Sequence, residues 1–353
     1  MKISKVAQSR VKDVDFENLS FGRTFSDHMF KATYEKGKWN SPEILPYGTI
    51  ELAPSVSTLH YGQAVFDGLK AYRKKSGEIG IFRLDRYQAR LNMSGSRLCI
   101  PPVPEDLFND AVLGLCNIDS EWVPQKRGSS LYIRPFIFAT DNFIGVHVAD
   151  SYLFMVITSP VGTYYKEGLN PVSLISSGEY VRAVRGGLGE AKTAANYAAS
   201  LLPAEEAQKK GFTQVLWLDA IERKYVEEVG TMNIMFVIGD ELVTPTLSGS
   251  ILAGITRDSV IQLARYWGVR VVERPVSIDE VMARAQDGSL KEVFGTGTAA
   301  VISPVGRISH QDSVVTINGG RIGDFSQKLY DEITGIQYGE KPDPFRWMYD
   351  IGA

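Results

Sequence analysis

"RGGLGEAKTAANY", residues 185–197, sets a lysine and a threonine behind three glycines, Gly186, Gly187 and Gly189. It comes within one residue of the phosphate loop G-x-x-x-x-G-K-[ST]. Gly186 takes the first glycine position and Lys192-Thr193 the last two, but Ala191 stands where the second glycine belongs. Such a loop also needs a buried strand leading into it, and "GEYVRAVR" (178–185) carries Glu179, Arg182 and Arg185. No downstream apolar run ending in aspartate makes a convincing partner for such a loop. Lys192 therefore reads as a lysine of another kind, in a glycine-rich turn between a charged segment and an alanine-rich helix. Small neighbours leave room there for something flat to lie against the backbone. An amine so placed can do covalent work on an aldehyde, provided its neutral form is accessible.

The rest of the chain narrows the choice. Its 353 residues suggest about two domains. Hydrophobic residues make up 44% and charged residues 22%, as in ordinary globular enzymes. A net charge of −3 gives no field that would favour nucleic acid or an anionic membrane. Cys99 and Cys116 form no C-x-x-C pair and read as two small core residues. His28, His60, His147 and His310 are scattered, so no metal site is expected. The first residues lack the apolar stretch of a signal peptide, and no apolar run reaches membrane length. The expectation is a soluble, cytoplasmic protein without membrane partners.

Along the chain, "IELAPSV" (50–56) and "GLKAYRK" (68–74) read as strands. "LDRYQARLNMSGSRL" (84–98) reads as a helix capped by Asp85, and "PEDLFNDAVLGLCNID" (104–119) as a helix with Pro104 in its first turn. Strands are expected at 129–140 and 151–162. Beyond them lie a strand at "VSLISS" (172–177) and a helix over 193–211 that Pro203 should kink or break. "TMNIMFVIGDELVTP" (231–245) predicts a hairpin turning at Gly239-Asp240. Ser277 and Glu280 predict a capping box. Strands alternate with helices but hairpins intervene, which argues for two mixed α/β domains rather than one parallel sheet. The division is set at a small N-terminal domain, 1–165, a linker, 166–175, and a large C-terminal domain, 176–353.

Pyridoxal phosphate is the usual aldehyde for a Schiff-base lysine. Its site needs phosphate donors, a group for the pyridine nitrogen and a wall for the ring. "EEVGTMN" (227–233), "LAGITR" (252–257) and "FGTGTAA" (294–300) are candidates; the second places glycine and threonine at a helix start, a natural phosphate cradle. Together with "HYGQAVFDGLKAYR" (60–73), "SLYIRP" (130–135), "SPVGTYY" (159–165), "KTAANYAASL" (192–201) and "QVLWLD" (214–219), these motifs resemble a branched-chain amino acid aminotransferase of the fold-type IV pyridoxal phosphate enzymes. The resemblance runs from about residue 21 to 339.

The resemblance implies a two-domain mixed α/β fold with pyridoxal 5'-phosphate between the domains, and Lys192 as the Schiff-base and proton-transferring lysine. It implies Glu228 at the pyridine nitrogen and Tyr197 at the ring hydroxyl. Arg90, Thr231, the amides of Ile255 and Thr256, and Thr298 would hold the phosphate. Tyr132 and Arg134, two apart and so on one face of a strand, would take substrate carboxylates with the amides of Ala299 and Ala300. Phe21, Tyr61 and Tyr164 would line an apolar pocket, and Val146 would reach a partner subunit of a homodimer. The implied reaction moves the amino group of leucine, isoleucine or valine to 2-oxoglutarate. A D-amino acid aminotransferase or an aminodeoxychorismate lyase of the same fold is the alternative. Some relatives carry a C-x-x-C switch where this chain has Ala300 and Ser303, so no thiol switch is expected here.

Overall fold

The computed structural model describes residues 1–163 and 169–351. The chain forms two compact units. One comprises residues 1–164, 191–194 and 335–353, the other 165–190 and 195–334. Two segments from beyond the expected linker, one of them carrying Lys192, thus cluster with the N-terminal portion. No helix among the described residues is long and apolar enough to cross a membrane.

The first unit is built on a nine-stranded, almost wholly antiparallel sheet. At its centre Ser130–Ala139 pairs with Tyr152–Val161 over its whole length. The central strand shows why the sequence folds this way. Leu131 and Ile133 are fully buried, whereas Tyr132, Arg134 and Phe136, one residue out of phase, face the other side and are only partly covered. Helix Glu105–Ile118 covers the core face with Phe108, Val112 and Leu115, all fully buried. Pro104 is its N-cap rather than part of its first turn.

Helix Leu84–Arg97 turns Leu84, Tyr87, Leu91 and Ser94 inward at helical spacing, and Arg90 lies on the same face. Asp85 sits in the first turn and does not cap. The cap position belongs to Arg83, in the left-handed region at φ +57°. Residues 50–56 form no strand; only Val56 makes an isolated bridge, to Asn142. Pro54 and the small residues beside it supply no regular ladder. Cys116 is buried as expected, its thiol pushed up by burial and by Asp119. Cys99 is exposed, at a left-handed position where the chain leaves a helix, so it is not a core residue.

The second unit contains a sheet that closes on itself. Val226–Val229, Gln214–Leu218, Val172–Ser176, Val301–His310, Leu290–Gly297 and Met232–Ile238 pair in that order, and Met232–Ile238 pairs back to Val226–Val229. Closure leaves these six strands no open edge. Leu216, Leu174, Ile234, Phe236 and Ile308, all fully buried, contribute to one apolar core. The hairpin at Gly239-Asp240 forms as expected, with Ile238 opposite Glu241. The helix expected over 193–211 is two, Ala194–Ala199 and Leu201–Lys209. The break falls at Ser200, and Pro203 then lies in the first turn of the second helix, where its missing N–H costs little. Ser277 Oγ accepts the Glu280 amide, but the Glu280 carboxylate turns to Arg274 and Arg284, so only half of the capping box exists.

Candidate active site

In the first unit, the segment 191–194 is tied down residue by residue. Phe66 N–H donates to Lys192 O at 3.0 Å, and Lys192 N–H donates to Ser94 Oγ at 2.9 Å. Thr193 is fully buried, bridges Val65, and its hydroxyl donates to Ala64 O. The lysine backbone is therefore fixed on one side by the chain around 64–66. On the other it meets the same helix face, one turn on, that carries Arg90.

Arg90 is buried and meets Asp67 as a fork. Nε donates to Oδ2 at 2.9 Å, and Nη2 to Oδ1 at 2.6 Å. Such bidentate pairs hold their geometry tightly. The Lys192 amine lies 5.0 Å from the centre of the Phe66 ring. Burial pushes its pKa down to about 8; Arg90 and Arg134 act in the same direction, while Asp67 and Tyr132 oppose them. A lysine at that value has a sizeable neutral fraction near physiological pH.

Tyr132 and Arg134 stand together as their spacing implied. Arg134 Nη2 donates to Tyr132 Oη at 3.0 Å, and the guanidinium covers the Phe66 ring at 4.8 Å. Arg134 Nε is buried without a hydrogen-bond partner among the described residues, a donor suited to an incoming carboxylate. Phe21, half exposed, sets its ring edge against Tyr132 at 4.9 Å. Gly68 lies against the Tyr132 ring, and a Cβ there would overlap the phenol where it now stands. Tyr61 donates to Ile144 O, and Val146, on the same loop as Ile144, is 84% exposed. Tyr164 lies outside the described residues.

In the second unit, Glu228 is buried and its carboxylate gathers Leu252, Asn233 and Arg182. Leu252 N–H reaches Oε1 at 2.9 Å and Asn233 Nδ2 reaches Oε1 at 3.2 Å, while Arg182 forms an ion pair, its Nε 2.8 Å from Oε2. Tyr197 and Thr231 line one small cleft with Glu228, Arg182, Asn196 and Leu252. Asn196 donates to Leu188 O, which holds the helix after the lysine to the glycine-rich turn before it.

Ile255 and Thr256, both buried, open helix Ile255–Tyr266, whose N-cap is Gly254 and which has no side-chain cap. A Cβ at Gly254 would overlap Asn233 Oδ1. Thr298, Ala299 and Ala300 make the turn between two paired strands. Directly after it, Val301 takes φ +63°, and Ile302 N–H returns to Ala300 O at 2.8 Å. A β-branched residue in the left-handed region is strained, and such strain gathers at functional sites.

Asp67, Phe66, Arg182 and Asn233 were not singled out from the sequence. The one available signal was Asp67, an acidic residue in the otherwise apolar run "AVFDGL". Lys70 is similar. It is 7% exposed, stands opposite Tyr132 across paired strands, and burial pushes its amine to about 8.

The residues fit pyridoxal phosphate on their own chemistry. A lysine amine with a lowered pKa, a buried carboxylate held by Leu252, Asn233 and Arg182, a buried arginine and an uncapped helix start are the groups that an aldehyde, a pyridine nitrogen and a phosphate require. Fold and residues together define a fold-type IV pyridoxal phosphate enzyme. The family profile described as amino-transferase class IV matches residues 64–308, and the chain belongs to that family. Branched-chain-amino-acid aminotransferase 2 of Bacillus subtilis (strain 168) is 52% identical over 340 residues, covering 96% of this chain and 94% of the relative. Branched-chain-amino-acid transaminase 1 of the same organism is 52% identical, covering 96% and 95%. Among solved structures, the Escherichia coli branched-chain amino acid aminotransferase superposes with a TM-score of 0.77 at 26% identity, over 92% of this chain and 99% of that one. The branched-chain amino acid aminotransferase of Thermobaculum terrenum, solved in its PLP form, superposes with a TM-score of 0.74 at 26% identity, over 92% and 98%.

Proposed function

We propose that the chain is a branched-chain-amino-acid aminotransferase, which transfers the amino group of L-leucine, L-isoleucine or L-valine to 2-oxoglutarate with pyridoxal 5'-phosphate as cofactor. The observation that carries the reading is the Lys192 amine, brought to about 8 by burial and set beside Arg90, with Tyr132 and Arg134 acting on it. The two Bacillus subtilis relatives, which match over nearly the whole chain, bear branched-chain names.

When bound, the cofactor supplies an aldehyde that takes up the amino group and a ring that accepts the electrons of the breaking Cα–H bond. Lys192 Nζ, neutral once released, takes the substrate Cα proton and later returns it, first as base and then as acid. Glu228, fixed by Leu252, Asn233 and Arg182, would offer its carboxylate to the protonated ring nitrogen, and Tyr197 would serve the ring hydroxyl. Arg90, Thr231, the Ile255 and Thr256 amides and Thr298 take the phosphate; Asp67 keeps the Arg90 fork in one plane. Tyr132 and the Ala299 and Ala300 amides orient the α-carboxylate. Arg134, resting on Phe66, receives the distal carboxylate of glutamate, while Phe21 and Tyr61 shelter a branched aliphatic chain. Tyr164 belongs to the same proposed wall.

The protein acts as a homodimer in the cytoplasm in this reading. Phe143, Ile144, Val146 and Val148 are all more than half exposed on one loop, a surface suited to a second copy. The test is a panel of L-leucine, L-isoleucine, L-valine, D-alanine and aminodeoxychorismate, each followed by 2-oxoglutarate consumption or product formation. Turnover confined to the L-branched-chain acids is expected. Preference for D-alanine, or pyruvate release from aminodeoxychorismate, overturns the assignment in favour of the other activities of this fold.

A further inference from the structure

Glu227, the neighbour of Glu228, is also buried and has no part in the reaction described above. It is 7% exposed, and one of its oxygens, Oε2, has no hydrogen-bond partner among the described residues. The other, Oε1, accepts the hydroxyl of Ser250, itself 2% exposed. Burial raises the pKa of the carboxyl, and Ser250 and Arg182 act against that rise.

The strand explains how two consecutive carboxylates come to serve one loop. Trp217 pairs with Glu228 and Leu218 with Val226, so Glu227 is the extra residue of a β-bulge. In a regular strand adjacent side chains leave opposite faces; a bulge re-aims them. Here Glu227 reaches Ser250 while Glu228 reaches the Leu252 amide two residues further on. Arg182 joins the two contacts, since its Nη2 donates to Ser250 O and to Gly189 O while its Nε meets Glu228. Gly189 allows this approach, because a Cβ there would overlap Ser250 O. Beyond Leu252 the chain reaches Gly254 and the start of the helix at Ile255 within three residues.

We infer that Glu227 is a positioning residue: through Ser250 it fixes the 248–252 loop so that the Leu252 amide is held on Glu228 and the amides at the start of the following helix are held in place. The contact needs an acceptor at Oε1, not a charge. The inference rests on the reading of Glu228 as the group facing the pyridine nitrogen.

The experiment uses the full chain as Glu227→Ala, Glu227→Gln, Ser250→Ala and the double alanine variant. Each is measured for pyridoxal phosphate dissociation constant, for the pH midpoint of the bound cofactor's absorbance, and, without cofactor, for hydrogen exchange at the Leu252 amide. Glu227→Ala and Ser250→Ala should each weaken cofactor binding by about 3–10-fold, the effect of one hydrogen bond, move the pH midpoint and speed Leu252 exchange. The double variant should be no worse than either single one, and Glu227→Gln, which keeps a carbonyl acceptor, should stay within about twofold of the parent.

Unchanged Leu252 exchange in the alanine variants, additive losses, or a Glu227→Gln loss equal to that of alanine overturns the inference. If Glu227→Ala does not fold, Ser250→Ala against Glu227→Gln decides it. Glu228→Gln separates the underlying reading: an unchanged cofactor spectrum there removes Glu228 from the ring nitrogen, while Leu252 exchange still reports on Glu227.

Discussion

Replacing Lys192 by methionine should make the cofactor-free protein more stable near neutral pH. The lysine amine is pushed from an ordinary 10.5 down to about 8, with burial as the largest cause and Arg90 next. A tenfold change in proton affinity corresponds to about 1.4 kcal/mol. The folded chain therefore carries a penalty of roughly 2–3 kcal/mol for holding this amine protonated, allowing for the partial access of water to a half-buried residue. Below about pH 8 both the folded and the unfolded chain bind the proton, so the penalty is present in full. Between about 8 and 10.5 the unfolded chain binds more protons, and stability rises with pH through that window.

Methionine is similar in length and uncharged, so Lys192→Met removes the penalty and the associated pH slope. Denaturant titration of the parent and Lys192→Met apoproteins, at about pH 7 and again at about pH 10, measures both. The variant should gain about 2–3 kcal/mol at the lower pH and little at the higher one. Equal differences at the two pH values, or a variant less stable near neutrality, would refute the argument that burial sets the basicity of this amine. The result also measures what the fold gives up to keep a reactive lysine inside.

Three further outcomes follow from the first unit. Gly68→Ala should drive the Tyr132 phenol aside, raising KM for the amino acid several-fold and costing about 1–3 kcal/mol of stability; steady-state kinetics with L-valine and a melting curve check both. Arg134→Gln should raise KM for 2-oxoglutarate by about tenfold or more while changing KM for L-leucine far less, because only the former brings a second carboxylate. Asp67→Asn leaves the Arg90 charge buried without its ion pair, a loss of about 3–5 kcal/mol. Since Asp67 supports the protonated form of Lys192, the same change should move the amine below about 8, read as a lower pH midpoint for its chemical modification in the apoprotein.

The parts of the fold legible in the sequence were those written in local periodicity. The two long central strands, the helices ending near Arg97 and Ile118, and the hairpin at Gly239-Asp240 form within a residue or two of their expected places. The strands His28–Glu35 and Lys38–Pro46 were not recognised, since the second carries two prolines and polar residues that no simple alternation accounts for. Closure of the second sheet was invisible for a different reason: it depends on pairings between distant strands, Val172–Ser176 with Val301–His310 among them. Within the candidate site, the spacing of two put Tyr132 and Arg134 on one strand face, while their role was only what the family resemblance implied. Asp67 and Arg182 could not be derived that way, because each is placed by contacts that cross many residues of chain. Arg90 shows the limit most clearly. Its periodicity puts it on the inward helix face, but the Asp67 carboxylate that pairs with the buried cation comes from another segment.

The segment 191–194 has a topological consequence. The chain passes from one compact unit to the other after residues 164, 190, 194 and 334, so four covalent crossings join them. A single cut near residue 164 leaves three crossings intact. The N-terminal fragment would lack the four-residue insertion that carries the lysine, as well as the tail whose strand Met348–Asp350 pairs with Ile79–Phe82. The remainder would carry that lysine on a loop stripped of Ser94, Ala64 and Phe66. The units are therefore not separable modules. Neither half, expressed by itself, should hold the lysine in register, and restoring it should require both fragments to assemble together rather than fold in turn.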